Sequence, residues 1–321
     1  MSRLVAVLAT ALLLGQPVLA AGQEEPLSWL ERISSAAQRL NYSGVFVYQS
    51  GPISEISRVT HFVDERGEHE HLEVLDGSPR QVIRSNDEVW CIFPERKTVI
   101  EDRSGVQRSF PARLPTALSR IAENYELRLG RVSRVAGFDA QAVMLEPRDD
   151  LRYGHELWAD VASGLLLKAQ MVDEGGAMIE QFKFSDVRIG DVEPVSGIAT
   201  LNFREEPGWK VVSAHGADVG ELGSGWRLAE ELPGYALESV VKRPLGRGQR
   251  DVLHMIYSDG LASISVFIEP QENTSDRLGP LQSGAIHIHR RSVAGHLVTA
   301  LGEVPMRALV RVADHMEPVS Q

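Results

Sequence analysis

The chain has 321 residues, with 44 acidic against 33 basic side chains, and its single cysteine is Cys91. This length predicts two domains, and one cysteine excludes an intramolecular disulfide. The net charge is −10 over residues 21–206 and −2 from residue 207 to the end. The acidity of the first part argues against nucleic-acid binding, because phosphate contacts need a basic surface.

The first twenty residues have the pattern of a secretory signal peptide. A short polar start that contains Arg3 precedes an apolar run over 4–14, and Val18-Leu19-Ala20 resembles a cleavage site. The run is too short to be a stable membrane anchor, and no later run is long and apolar enough to span a bilayer. The sequence therefore predicts an exported mature protein, which in a bacterium with two membranes lies in the periplasm.

A helix is predicted over 27–40, where Ser28 and Glu31 have the spacing of a capping box. Its apolar stripe, expected to lie against a sheet, consists of Leu30, Ile33, Ala37 and Leu40. Strands are predicted to follow over 44–49, 53–63, 70–75, 80–84, 89–93 and 97–100. A second helix is predicted over 113–124, and two more strands over 125–135 and 140–145.

Period-two alternation predicts three further antiparallel strands between His155 and Ile189. Ser163-Gly164 and Gly175-Gly176 supply the two tight turns, since glycine readily adopts positive φ. In the last strand Met178, Phe182 and Phe184 are predicted to share one face. One apolar face and one polar face are typical of an antiparallel sheet with a solvated side.

The predicted fold class is mainly β, or α+β. A long antiparallel meander from Gly44 to Ile189 is expected to curl into a half-open barrel, with the two helices across its mouth. Seven aromatic residues are predicted to line its concave side and contact a lipid: Phe46, Tyr48, Trp90, Phe93, Trp158, Phe182 and Phe184. An ordinary filled core and a ligand-sized apolar cavity both fit this pattern.

Turn-forming residues over 207–225 predict a linker between a first domain, 21–206, and a second domain, 226–321. Strands are predicted there over 234–243, 251–257, 262–267, 286–292 and 296–302, with a polar loop over 273–284. Asp259-Gly260 predicts a hairpin turn, and Pro305 opens a final helix. A smaller α+β module of this kind more often binds a partner than performs chemistry.

The sequence has no motif that predicts catalysis, a cofactor or a metal site. Zinc needs at least three ligands. The histidine pairs at 69 and 71 and at 287 and 289 have no third ligand at a spacing that would indicate a zinc site. There is no nucleophile elbow and no phosphate loop, and the glycines of 220–225 do not match a dinucleotide fingerprint. We therefore expect a binding protein with neither enzymatic activity nor a cofactor.

Modest basic patches in the second domain could meet an acidic peptide or anionic lipid head groups. Together with the Asp259 hairpin, they form the predicted partner contacts: Lys242, Arg243, Arg247, Arg250, Arg290 and Arg291. A solvated surface with no binding role is the alternative for these arginines and lysines.

Three segments in order, 42–48, 68–77 and 257–270, resemble the RseB/MucB family. They begin Tyr-Ser-Gly-Val-Phe, Glu-His-Glu-His-Leu and Tyr-Ser-Asp-Gly-Leu. Residues 302–305, Gly-Glu-Val-Pro, are similar to the C-terminal signature of the family. The resemblance covers nearly the whole mature chain. It implies a large N-terminal domain similar to the lipoprotein carriers LolA and LolB, joined to a smaller C-terminal domain.

The resemblance also implies a function without chemistry. It implies a periplasmic negative regulator of an envelope-stress sigma factor, which binds the periplasmic segment of a transmembrane anti-sigma factor. Binding would shield that segment from the site-one protease that begins sigma-factor release, and a lipid such as lipopolysaccharide would weaken the complex. The alternative is a LolA-type carrier of lipid or lipoproteins. A homo-oligomer remains open.

Overall fold

The computed structural model of the protein describes residues 25–103, 118–192, 207–245, 250–271 and 278–319. The predicted signal peptide, Arg247 and the first five residues of the second predicted helix lie outside these ranges. Within the described ranges, no helix combines the length and the apolar character that crossing a membrane requires.

A twelve-stranded sheet forms most of the first domain. Its first six strands are β1 (Tyr42–Ser50), β2 (Ile53–Asp64), β3 (Gly67–Val74), β4 (Gln81–Ser85), β5 (Glu88–Phe93) and β6 (Thr98–Arg103). The other six are β7 (Tyr125–Val135), β8 (Phe138–Pro147), β9 (Gly154–Asp160), β10 (Leu166–Val172), β11 (Met178–Ile189) and β12 (Lys210–Ser213).

The strands lie in the order β12-β6-β5-β4-β3-β2-β1-β11-β10-β9-β8-β7. All neighbours are antiparallel except β12 and β6, which are parallel. Among the described strands, β7 and β12 form the two edges and do not pair with each other, so the sheet is open. The predicted antiparallel meander with an open sheet is confirmed.

Two helices, α1 (Pro26–Arg39) and α2 (Ser119–Asn124), contribute to the core of the first domain. Leu30 and Ile33 of α1 are fully buried in one cluster with Ile121 of α2 and with Val143 and Leu157 of the sheet. The predicted capping box is wrong. Glu25 is the N-cap residue, and the Ser28 hydroxyl donates to the Glu25 carbonyl. Pro26, whose φ suits the first helical turn, starts the helix instead.

Two β-bulges interrupt the alternation in β11. Phe182 and Phe184 are buried, as predicted, but Met178 is 42% exposed. The register slips between Met171 and Val172 of the partner strand, so that Ile179 is the extra residue. An extra residue reverses the faces of the residues beyond it, and this is why Met178 does not share the face of the two phenylalanines.

The second bulge lies opposite Val45 and Phe46, next to Gly44. A Cβ atom at Gly44 would lie 2.5 Å from the Asp186 carbonyl oxygen and 2.8 Å from the Phe184 ring. The partner of the strand changes from Asp186 at Val45 to Phe184 at Phe46, which leaves Ser185 as the extra residue. Glycine is therefore required by the close approach of the backbone and the phenylalanine ring.

We expect Gly44→Ala to lower the free energy of unfolding by about 1–3 kcal/mol, because the added methyl group overpacks this contact. Gly175→Ala is the matched control. Its Cβ would meet only the Asp173 side chain, at 3.4 Å, and we expect a change within about 0.5 kcal/mol. Urea denaturation measures both changes. Equal losses for the two variants would contradict the packing seen at Gly44.

The second sheet has seven strands in the order β13-β15-β16-β17-β20-β19-β18. They are β13 (Ala217–Asp218), β15 (Ala236–Leu245), β16 (Arg250–Ser258), β17 (Ser263–Pro270), β18 (Gly279–Ser283), β19 (Ile286–Val293) and β20 (His296–Gly302). A separate ribbon pairs β14 (Trp226–Leu228) with β21 (Met316–Pro318). Helix α4 (Met306–His315) packs on β19 and β20. The predicted smaller α+β domain is confirmed.

Residues 207–225, predicted as a linker, contribute one strand to each sheet. Strand β12 adds to the edge of the first sheet beside β6, and β13 adds to the edge of the second beside β15. Helix α3 (Gly220–Ser224) follows and ends at Gly225, whose φ is +73°. This segment is thus paired with both sheets at the level of the backbone.

Candidate functional site

Five of the seven aromatic residues predicted to contact lipid lie together in the first domain. Phe46, Phe182 and Phe184 are buried, and the ring centroids of Phe46 and Phe182 are 4.6 Å apart. Phe184 packs edge-on against Phe182 at 5.0 Å. Tyr48 borders this cluster, and its hydroxyl donates to Glu180 at 2.7 Å. These side chains form part of a packed core.

Trp158 is partly buried and packs against the same cluster as Phe182. It is the cross-strand neighbour of Lys168, whereas Phe182 is the neighbour of Ala169. The Lys168 ammonium lies 3.8 Å from the centre of the Trp158 ring, a cation–π contact.

Trp90 and Phe93 lie in another part of the first domain. Trp90 packs against a small cluster of Ile83, Ile92 and Val99. Phe93 is half-buried, with the Arg96 guanidinium 6.0 Å from its ring centre. The structure therefore does not bring all seven aromatics together. The group that it assembles consists of Phe46, Tyr48, Trp158, Phe182 and Phe184.

The basic residues predicted to contact a partner lie on both faces of the second sheet. Arg291 pairs with Asp314 of α4 at 2.7 Å, which places it on the helix-covered face. Arg290 therefore points to the other face, which we call the helix-free face. The register runs across the strands from Arg290 through Thr299 and Phe267 to His254.

Arg243 shares the helix-free face with His254. Val241 is the cross-strand neighbour of His254, and Arg243 lies two residues further along the strand. By the same alternation, Lys242 lies on the helix-covered side. Arg250 begins β16, and Arg247 lies outside the described residues. Of the predicted partner cations, Arg243 and Arg290 thus share the helix-free face, on strands β15 and β19.

Arg243 also contacts the first domain. It forms an ion pair with Asp102 at 3.2 Å, and the Arg243 side chain is mostly buried. Asp102 lines a cleft together with Glu88, Trp90, Glu101 and His215. The acidic side of this cleft therefore faces a cation that was predicted to contact a partner.

His254 is a buried group on the helix-free face. It is 5% exposed, and its ring stacks on Phe267 with centroids 4.1 Å apart. Neither ring nitrogen has a hydrogen-bond partner within the described residues. Burial, with a smaller contribution from Arg243, lowers the pKa of His254 to about 3, so the imidazole is neutral in the folded protein at neutral pH.

Acid should therefore destabilise the protein through His254. The pKa of His254 in the folded protein is about 3, below the ordinary value of 6.5. Between pH 3 and pH 6.5 the unfolded chain therefore binds a proton that the folded protein does not bind. Stability is retained above pH 6.5 and is lost as the pH falls toward 3, by up to about 1.4 kcal/mol per pH unit. His254→Phe keeps the stacked ring without the titration, and we expect a weaker pH dependence in denaturation between pH 6.5 and 4. An unchanged slope would contradict this assignment.

The structure corrects the prediction for Asp259, which is fully buried and faces the first domain instead of solvent. One carboxylate oxygen accepts from Arg152 at 2.8 Å and from the Tyr125 hydroxyl at 3.0 Å. The other accepts from the backbone amides of Leu261 and Ala262, both at 2.8 Å. Asp259 therefore joins the two domains and is not positioned to meet a separate partner.

Arg152 is the residue that sequence reasoning missed. Its side chain is 0% exposed, and it lies in the loop between β8 and β9. Its guanidinium donates to both carboxylate oxygens of Asp149 at 2.9 Å and to the Pro233 carbonyl at 2.7 Å. Burial alone would lower the pKa of Arg152, but the hydrogen bonds that it donates to Asp149 and the charge of Asp259 raise the pKa. The cation is thus retained.

Family models match both parts of the chain. The MucB/RseB N-terminal domain matches residues 25–205, and the MucB/RseB C-terminal domain matches residues 221–317. The sigma factor AlgU regulatory protein MucB of Pseudomonas aeruginosa is 31% identical over 296 residues, which cover 90% of each chain. The sigma-E factor regulatory protein RseB of Escherichia coli is 25% identical over 297 residues, covering 90% of this chain and 89% of that protein.

Solved structures agree with these matches. The crystal structure of MucB in complex with MucA(peri) superposes with a TM-score of 0.71 at 27% identity, covering 92% of this chain and 100% of that one. A crystal structure of MucB gives a TM-score of 0.69 at 28% identity, covering 92% and 99%. The family predicted from the sequence is confirmed: this chain belongs to the MucB/RseB family.

Proposed function

We propose that this protein binds the periplasmic segment of a transmembrane anti-sigma factor and thereby keeps an envelope-stress sigma factor inactive. The observation that carries the proposal is the likeness to MucB, which was solved in complex with MucA(peri) and which superposes over 92% of this chain. That coverage includes both domains. The regulatory names of the relatives support the same role.

The protein acts in the periplasm as a binding protein. The predicted signal peptide, 1–20, supports export, and the proposed division then places domains at 21–206 and 226–321 with 207–225 between them. Within the described residues, no group of three or more His, Cys, Asp and Glu side chains could hold a metal ion. We propose that the protein has no catalytic step and needs no cofactor.

In this proposal the protein regulates the sigma factor by covering the anti-sigma segment. A segment covered by this protein is inaccessible to the site-one protease that would begin sigma-factor release. Arg290 on the helix-free face is the strongest candidate for a contact with an acidic side chain of the segment, because its Nε atom has no hydrogen-bond partner within the described residues. Arg243 and Arg291 are weaker candidates, since they are already paired with Asp102 and Asp314.

A lipid-like signal such as lipopolysaccharide releases the partner in this proposal. Phe46, Tyr48, Phe182 and Phe184 would contact its acyl chains, and their close packing means that rings must separate before a chain can enter. Acyl contacts fit the acidic first domain better than phosphate contacts do. A ligand can shift the equilibrium only if it binds the free protein more tightly than the complex.

Isothermal titration calorimetry of the mature protein with the anti-sigma segment from the same organism tests the proposal. We expect a Kd in the micromolar range or tighter, and weaker binding after addition of lipopolysaccharide. Absence of heat at high micromolar concentration, with lipid still bound, would overturn it and favour a LolA-type carrier. For a carrier, deletion of the residues after 225 would spare lipid transfer.

A further inference from the structure

The two domains exchange apolar side chains at their junction. Leu151, from the loop between β8 and β9 of the first domain, is buried in the main core cluster of the second domain. Leu261, from the turn between β16 and β17 of the second domain, packs against the core beneath α1. Each domain therefore completes its apolar core with a residue of the other.

A buried ion pair is formed by residues next to these two leucines in the sequence. Arg152 follows Leu151, and Asp259 is two residues before Leu261. Arg152 and Asp259 both have side chains that are 0% exposed, and they are 2.8 Å apart. The Arg152 guanidinium lies 5.8 Å from the centre of the Tyr125 ring and 4.9 Å from the centre of the Tyr235 ring. The Tyr235 hydroxyl donates to the Leu151 carbonyl at 3.2 Å. Both domains thus supply an aromatic ring and an oxygen acceptor to one guanidinium.

Gly234 closes this arrangement on the side of the second domain. Its φ of +75° favours glycine, and a Cβ there would lie 2.2 Å from the Asn124 amide oxygen and 2.8 Å from the Arg152 Nη2 atom. The Asn124 amide donates to the Gly234 carbonyl at 3.3 Å. A Cβ atom at this position would force the Asn124 and Arg152 side chains to shift, and the positive φ would be strained for a residue other than glycine.

Tyr125 connects the junction to the interior of the first domain. Its ring is fully buried in the cluster that contains Leu30 and Ile33 of α1, and its hydroxyl donates to Asp259. A rearrangement beneath α1 would therefore act directly on the carboxylate that holds the second domain.

We infer that Arg152, Asp259, Tyr125 and Gly234 form an interdomain lock that holds the two domains as one binding body, and that affinity for the anti-sigma segment depends on this lock. Arg152 is then a positioning residue: it fixes the orientation of the partner-binding surfaces without touching the partner. This inference rests on the proposed function for its second half, whereas the lock itself is a property of the free protein.

The first arm of the test uses the free full-length mature protein. Arg152→Met removes the cation at similar length, and Gly234→Ala inserts a methyl group without changing any charge. We expect wild-type protein to unfold in one calorimetric transition and both variants in two, with a larger radius of gyration by small-angle X-ray scattering. One transition and an unchanged radius in both variants would overturn the lock.

The second arm measures affinity for the anti-sigma segment at 15 °C, where folding of each variant is verified by circular dichroism. We expect a Kd at least tenfold weaker for Arg152→Met and for Gly234→Ala. Arg307→Gln is the matched control. It breaks exposed junction ion pairs with Asp150 and Glu174, and we expect a Kd within twofold of wild type. Uncoupled domains with unchanged affinity would overturn the positioning role.

Milder variants cover the case in which Arg152→Met does not fold. Arg152→Lys keeps the charge but loses the planar fork, and Tyr125→Phe removes one hydroxyl; both should give intermediate losses of affinity. A purely structural role would lower the unfolding temperature and leave the Kd at 15 °C unchanged. If wild-type protein does not bind the segment, the proposed function fails, while calorimetry and scattering still decide whether the lock exists.

Discussion

Replacement of Asp259 by alanine is expected to lower the free energy of unfolding by about 3–5 kcal/mol, because it breaks a fully buried ion pair and leaves several buried donors without their acceptor. Arg152, with no exposed side-chain surface, would keep its ion pair with Asp149 but lose the acceptor at 2.8 Å. The Tyr125 hydroxyl and the amides of Leu261 and Ala262 would also lose their acceptor. Guanidinium denaturation followed by tryptophan fluorescence and circular dichroism measures the loss.

Asp150→Ala is the matched control for this experiment. Asp150 also pairs with an arginine of the other domain, Arg307, at 2.6 Å, but both side chains are largely exposed. Exposed ion pairs contribute little, since water and salt screen them, so we expect a much smaller effect. If the two aspartate variants lost the same stability, the contrast between the buried and the exposed ion pair would be wrong.

Phe184→Ala is expected to cost about 3–5 kcal/mol of unfolding free energy, the range for removal of a buried phenylalanine side chain. Phe184 is fully buried, and its ring packs against Tyr42, Phe46 and Phe182. Gly44 approaches it so closely that the surrounding strand has no slack to collapse into the space. Chemical denaturation of the purified protein measures the change.

Tyr48→Phe provides the comparison within the same cluster. It keeps the aromatic ring and removes only the hydroxyl that bonds to Glu180, which predicts a loss of about 0.5–1.5 kcal/mol. A small loss for Phe184→Ala, equal to that of Tyr48→Phe, would show that the phenylalanines line open space. It would then favour the ligand-sized cavity over the packed core.

The sequence predicted those parts of the fold that depend on local patterns. Alternation predicted the long antiparallel sheet, Asp259-Gly260 marked the hairpin between β16 and β17, and Pro305 marked the start of α4. These signals come from residues close together in the chain. They predict the folded structure correctly because each strand must bury one face.

Features that depend on distant residues could not be predicted. Arg152 and Asp259 are 107 residues apart, and neither has a neighbouring pattern that indicates a pair. The Asp259-Gly260 sequence predicts an exposed hairpin turn, and only the three-dimensional structure shows that the first domain covers Asp259. The bulges in β11 likewise depend on partner strands, so the predicted face of Met178 was wrong.

For the candidate site, the sequence predicted which residues are charged, but not the face of the sheet on which each side chain lies. Arg290 and Arg291 were grouped as one patch, although period-two alternation already places successive strand residues on opposite faces. The structure separates them, with Arg291 against α4. Five of the seven predicted aromatics share one cluster, whereas Trp90 packs against another.

Protection of the partner from proteolysis is the most direct test of the proposed regulation. The anti-sigma segment would be digested by the site-one protease with and without an equimolar amount of the mature protein, and intact segment followed over time. We predict that the protein slows cleavage at least tenfold and that lipopolysaccharide restores the original rate. Cleavage at an unchanged rate, under conditions where calorimetry shows the complex, would contradict the account.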